Sequence, residues 1–179
     1  MNSGELIRRY AAGERNFSNA NLYRVKLIFA SLSGANLSRA NLCMASFRGS
    51  NLRMVDLRDA NLIRANLKGA DLTEANLKGA NLAGANLSGA NLTGANLREA
   101  NLYRAGLGEA NLSKTNLRYA NLGGAKLFGA ILTGAILLKA NLTGAILLKA
   151  NLTEAKLIDA DLSESVLTGV TMPDGTVHD

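Results

Sequence analysis

Ala80-Asn81-Leu82-Ala83-Gly84-Ala85-Asn86-Leu87-Ser88-Gly89-Ala90-Asn91-Leu92-Thr93-Gly94 states one five-residue pattern three times in succession. Followed outward in both directions, the register holds without insertion or deletion from Arg15 to Asp174, which is 32 units. The central residue is Leu in 29 of the 32, with Phe17, Phe47 and Met172 as the exceptions. Two residues before it stands Ala in 25 units, and between them Asn or Asp in 21. Self-similarity at a fixed short period is the mark of a solenoid and takes precedence over element-by-element reading.

A period of five is incompatible with a plain helix. At about 100° per residue, five residues advance about 500°, so successive Leu residues circle the axis and form no stripe. A flat strand fails as well, because side chains alternate and a five-residue step puts consecutive Leu on opposite faces. Within a unit, however, Ala and Leu are two apart and share a face. One bend per unit absorbs the odd residue and keeps both pointing inward. Bends of one sense close a coil, and stacked coils pair at about 4.8 Å. A 20-residue correlation favours four units per coil: Arg58, Lys78, Arg98 and Arg118 recur at that spacing, as do Asn21, Asn41, Asn61, Asn81, Asn101, Asn121 and Asn141. The expectation is an all-β rod of about eight coils, roughly 38 Å long at the usual strand spacing.

The unit Ala-(Asn/Asp)-Leu-x-x, repeated over Arg15 to Asp174, resembles the pentapeptide-repeat family, with end segments (Glu5 to Arg15 and Thr171 to Thr176) similar to those of cyanobacterial members. The resemblance implies a right-handed quadrilateral β-helix. It divides the chain into a capping helix and lead-in at 1–14, the β-helix at 15–174 and a tail at 175–179. Ser3 is expected to cap a helix running to about Ala12 and stopped by Gly13. Leu6, Ile7 and Tyr10 are expected to cover the first coil, and Pro173-Asp174-Gly175 to end the winding as a turn.

Composition narrows function. The chain has 179 residues, net charge +6, 4% aromatic residues and no Trp. A single cysteine, Cys43, excludes an internal disulfide, and a reducing cytoplasm is the expected compartment. No signal peptide is read at the N-terminus, and no apolar run reaches the roughly 20 residues of a membrane span. The only histidine is His178, and no set of residues has the spacing of a nucleophile–base pair or a metal centre. No cofactor, metal or catalytic residue is therefore expected. The chain reads as a non-enzymatic binding or scaffold protein for a protein partner, monomeric or weakly dimeric, with nucleic acid disfavoured by the few aromatics.

Candidate contact residues follow from the register. Naming each side of the coil after one of its centres, the Leu57 side carries eight basic and four acidic residues and the Leu27 side five basic and one acidic. The Leu22 side is net +1 and the Leu32 side net −2. Arg58, Lys78, Arg98 and Arg118 form a basic stripe on the Leu57 side. Leu138 and Ile158 point outward on that side, and Phe128 and Leu148 on the opposite one. Exposed apolar patches often mark contacts. The ten-residue repeat of Ile136–Thr143 at Ile146–Thr153 accounts for part of this pattern. The resemblance carries an alternative function: some members inhibit a DNA topoisomerase, gyrase, by imitating duplex DNA. That imitation needs an acidic surface, which a net charge of +6 disfavours. A Ser/Thr column (Ser33, Thr73, Thr93, Ser113, Thr133, Thr153) is a weaker candidate for ordering water.

Overall fold

The computed structural model describes residues 1–179. It contains one helix, α1 (Ser3–Ala11), and then a β-helical solenoid. Every isolated bridge is parallel and joins residues twenty apart, from Asn16↔Asn36 to Asn151↔Thr171. Four units therefore complete one turn, as the recurrence of Arg58, Lys78, Arg98 and Arg118 predicts. Each side contributes a single bridged residue, the one before the centre, so the ladders are one residue wide. The only strands longer than one residue, β1 (Val170–Thr171) and β2 (Val177–His178), form an antiparallel pair at the C-terminal end.

The bend is built the same way in each unit. The amide of the residue three beyond the centre donates back to the centre's carbonyl, as in Ala95 N–H to Leu92 O at 2.9 Å. The second residue after the centre has positive φ throughout, from Asn19 (58°) to Gly169 (70°). Positive φ at that corner alone is the signature of a type II turn. Glycine occupies twelve of these corners and L-residues nineteen. Left-handed backbone costs an L-residue about 1–2 kcal/mol, so the nineteen persist because neighbouring coils clamp the turn.

Clamping comes from three hydrogen-bond sets per side. The centre's amide and the amide of the positive-φ corner donate to the next coil, as in Leu92 N–H to Asn111 O at 2.7 Å and Gly94 N–H to Ser113 O at 3.0 Å, and the amide of the residue before the centre donates to the previous coil, as in Asn91 N–H to Ala70 O at 3.0 Å. Leu and Ala fill the interior as expected, and Leu32 to Leu152 along the rod are almost wholly buried. Phe17 and Phe47 are accommodated inside as well. Thr115, which replaces an inward Ala, donates its hydroxyl to Leu112 O at 2.7 Å, so its burial leaves no orphan polar atom.

Two expectations at the N-terminus need correction. Asn2, not Ser3, caps α1, its side chain accepting from the Glu5 amide at 2.9 Å, and the helix ends at Ala11. Asn at this position satisfies the otherwise free amide as well as Ser does. Leu6 is fully buried on the first coil and Tyr10 packs there, its hydroxyl donating to Ser33 O at 2.8 Å, but Ile7 is exposed. A single-residue step rotates Ile7 by about 100° away from the face that Leu6 and Tyr10, about one turn apart, share.

Candidate functional site

The surface offers columns and no enclosed site. Five recesses occur, all open to solvent. The largest, about 500 Å³, lies between α1 and the first coil and is lined by Ile7, Arg8, Lys26, Leu27 and Ile28 with Ser3, Gly4 and Ala30. No three His, Cys, Asp or Glu residues converge on a common point. No helix is long and apolar enough to cross a membrane. Cys43 is half-buried without a disulfide partner.

The basic stripe is one column. The amide of Asp59 donates to Lys78 O, Gly79 to Arg98 O and Glu99 to Arg118 O, which stacks the four residues on successive coils. The same column continues through Leu138 and Ile158, by Tyr119 N–H to Leu138 O and Lys139 N–H to Ile158 O. Cations thus run directly into apolar side chains along one side. Phe128 and Leu148 sit on the opposite side. Phe128 and Ile158 are exposed, whereas Leu138 and Leu148 are half-buried.

Part of the stripe is internally neutralised. Arg58 grips Asp56 with an Nη2–Oδ2 distance of 2.6 Å, and Arg98 pairs with Glu99 at 2.9 Å. The Arg58 hydrogen bonds hold the Asp56 carboxyl below its ordinary range despite partial burial. Arg98 also lies over the Tyr119 ring, 5.5 Å from its centroid. Lys78 and Arg118 make no ion pair. The Ser/Thr column is likewise occupied: Thr93, Ser113 and Thr153 donate their hydroxyls to Asn91, Asn111 and Asn151 at 2.6–2.7 Å.

Several exposed apolar groups lie outside the candidate set. Phe29 is 72% exposed, the highest among the large apolar residues, and Ile28 beside it is 46% exposed. Ile28 lines the recess next to α1 together with Ile7, whereas the Phe29 ring lies over Gly49 of the next coil. The signal for Ile28 and Phe29 is present in the sequence, as two outward positions filled by apolar residues in the first coil.

These columns belong to a solenoid whose unit matches the model of pentapeptide repeats in eight copies, over residues 16–59, 45–79, 75–107, 95–134 and 135–172. The chain belongs to the pentapeptide-repeat family. It is similar to HetL, a pentapeptide repeat protein involved in heterocyst differentiation regulation from the cyanobacterium Nostoc sp. strain PCC 7120. The match is 38% identical over 99% of this chain and 100% of that one, with a TM-score of 0.51. The fold is shared with trypsin-treated QnrB1, a plasmid-mediated fluoroquinolone resistance protein, at a TM-score of 0.70, 20% identity, and 84% and 85% coverage. These neighbours make the solenoid a right-handed β-helix. Among curated protein sequences none matches significantly.

Proposed function

We propose that this pentapeptide-repeat chain is a non-enzymatic docking rod for a protein partner, working in the cytoplasm as a monomer or weak dimer. In this reading it is a quadrilateral β-helix of about eight coils over 15–174, with a capping segment at 1–14 and a tail at 175–179. The observation that carries the proposal is the column Arg58, Lys78, Arg98, Arg118, Leu138, Ile158, a rigid ladder about 4.8 Å per step that changes from charged to apolar. Repeat rods act through long regular surfaces of this kind. Phe128 and Leu148 supply a second apolar patch on the opposite side.

The likeness to HetL supports a regulatory scaffold, since the two align over nearly their whole lengths. The topoisomerase reading gains little from QnrB1, whose 20% identity speaks to fold alone. The surface here is net positive, with only the Leu32 side negative.

The test is affinity capture from a cyanobacterial lysate with mass spectrometry, comparing wild type, the charge reversal R58E/K78E/R98E/R118E, and Phe128→Ser/Leu138→Ser/Leu148→Ser. A partner held by wild type and lost by either folded variant supports the proposal. Equal capture by all three overturns it.

A further inference from the structure

The residue before each centre has a second duty. In most units its Asn or Asp side chain accepts the amide two residues on, as Asn86 accepts from Ser88 at 3.0 Å. On the Leu22 side all eight coils close this bond, from Tyr23 to Ser163. On the Leu57 side the six coils from Ser18 to Arg118 do so. The Leu27 side differs. There Lys26, Ser46, Gly106, Lys126, Ile146 and Val166 stand at that position. The amides of Ile28, Arg48, Gly108, Phe128, Leu148 and Thr168 consequently have no acceptor within the chain. The last four lie on consecutive coils, a column of donors spaced at about 4.8 Å.

The charges on this side are equally unmatched. Its five cations, Lys26, Arg48, Lys68, Lys126 and Lys149, make no ion pair, and Glu109 is its only carboxylate. Between Lys68 and Phe128 the surface dips into a recess of about 290 Å³ that Ser88, Gly89, Gly108 and Glu109 also line. The fold does not require Gly106 or Gly108: neither has positive φ, and an added Cβ would meet nothing closer than 3.7 Å. Glycine inside a ladder costs backbone entropy and marks places where another backbone approaches closely.

We propose that the Leu27 side is the docking strip, and that its occupant is an acidic segment of a partner protein that ends in apolar residues. Carboxylate and carbonyl oxygens of the segment take the place that the chain's own Asn Oδ1 fills elsewhere, while Arg48 and Lys68 pair with its charge. Its apolar end lies on Phe128, Ile146 and Leu148. A polynucleotide shares the negative charge but gains nothing from an apolar end, and the strip lacks a series of aromatic platforms. The inference rests on the protein-docking reading, takes up its second patch at Phe128 and Leu148, and adds a contact of its own on the side opposite the Arg58 stripe.

The probe is a fluorescein-labelled peptide with a Glu/Ser run followed by a Leu/Ser run, beside a version with Gln for Glu, read by fluorescence anisotropy at low salt. Wild type binds the Glu peptide and releases it as salt rises. Arg48→Glu with Lys68→Glu weakens binding about tenfold or more. Gly106→Asn with Val166→Asn, which leaves charge and the apolar contacts unchanged and returns acceptors to the Gly108 and Thr168 amides, weakens it about fivefold. R58E/K78E/R98E/R118E changes it less than about twofold, because the opposite side is not in contact. Circular dichroism confirms that each variant remains folded. No binding by wild type, equal loss in both charge reversals, or tighter binding of duplex DNA than of the peptide overturns the inference. If the peptide fails while a protein partner is still captured from lysate, the docking-rod reading stands and this strip does not.

Discussion

Leu92→Ala tests the claim that coil spacing is fixed by the backbone. Leu92 is fully buried, and Leu72 and Leu112 lie above and below it in the same column, also at 0% exposure. The substitution removes three carbons, worth about 2.4 kcal/mol at roughly 0.8 kcal/mol each. The remaining cost depends on how far the neighbours collapse into the cavity. They are held apart by Leu72 N–H to Asn91 O and Leu92 N–H to Asn111 O, both 2.7 Å, and these bonds survive the change. Collapse is therefore small, and the total is about 4 kcal/mol, in the upper part of the usual Leu→Ala range. In a solenoid the loss is also local, because each coil touches only its neighbours. Urea unfolding gives the total, and native-state hydrogen exchange shows where it falls. Loss of protection concentrated in the coils of Leu72, Leu92 and Leu112 is expected. A cost under about 2 kcal/mol, or protection lost evenly along the rod, would refute the reasoning.

Two further outcomes follow from the turns and the carboxylates. Gly49→Ala is expected to destabilise by about 1–2 kcal/mol in thermal melts, since Gly49 sits at φ 63° and an added Cβ would lie 2.5 Å from the Phe29 ring. The double change with Phe29→Ala recovers the part due to the ring, and no recovery would place the whole cost in the backbone. Asp56, Asp71 and Asp161 all have carboxyl pKa values below the ordinary range. Asp56 is held there by Arg58; Asp161 by Ser163 and Thr143; and Asp71 by Thr73 and Arg53, against the opposing effect of burial. A lowered folded-state pKa contributes stability above the unfolded value of about 3.9 that disappears as pH falls through the folded value. The triple change to Asn keeps the side-chain acceptor, so its melting temperature should fall less than that of wild type between about pH 5 and pH 2. Equal falls would remove these carboxylates from the acid limb.

Most of the fold can be read in the sequence because one steric rule repeats. Leu inward, Ala two before it and a bend at the odd residue follow from spacing alone, and the twenty-residue recurrence of Asn21 through Asn141 identifies the residues that ladder between coils. Asn121 donates to Asn101, and Asn101 to Asn81, at 3.3 Å. What spacing does not carry is the choice made by long side chains. Nothing in the interval between Asp56 and Arg58 distinguishes a carboxylate that neutralises the stripe from one that points away. The helix cap is a similar case, since Asn2 and Ser3 are both competent and the outcome turns on one residue of register. The unaccepted amides were open to reading, because a missing Asn or Asp before a centre removes the acceptor by itself.

The distribution of those losses argues for selection on one face. Ten units with an amide two residues on leave it unaccepted: six on the Leu27 side, two on the Leu57 side, none on the Leu22 side and two on the Leu32 side. Tolerated drift would spread them about evenly, since every side makes the same turn and gains the same bond of about 0.5–1.5 kcal/mol. The ten-residue duplication explains Ile136 and Ile146 as copies, and because ten residues is half a turn it places one on each of two opposite sides. It does not explain Lys26, Ser46, Gly106, Lys126 or Val166, which lie outside the copied segment and all fall on the Leu27 side. Five local bonds given up on one wall beyond the duplicated Ile146, where the cations are also unpaired, is the pattern expected when the acceptors arrive from another molecule.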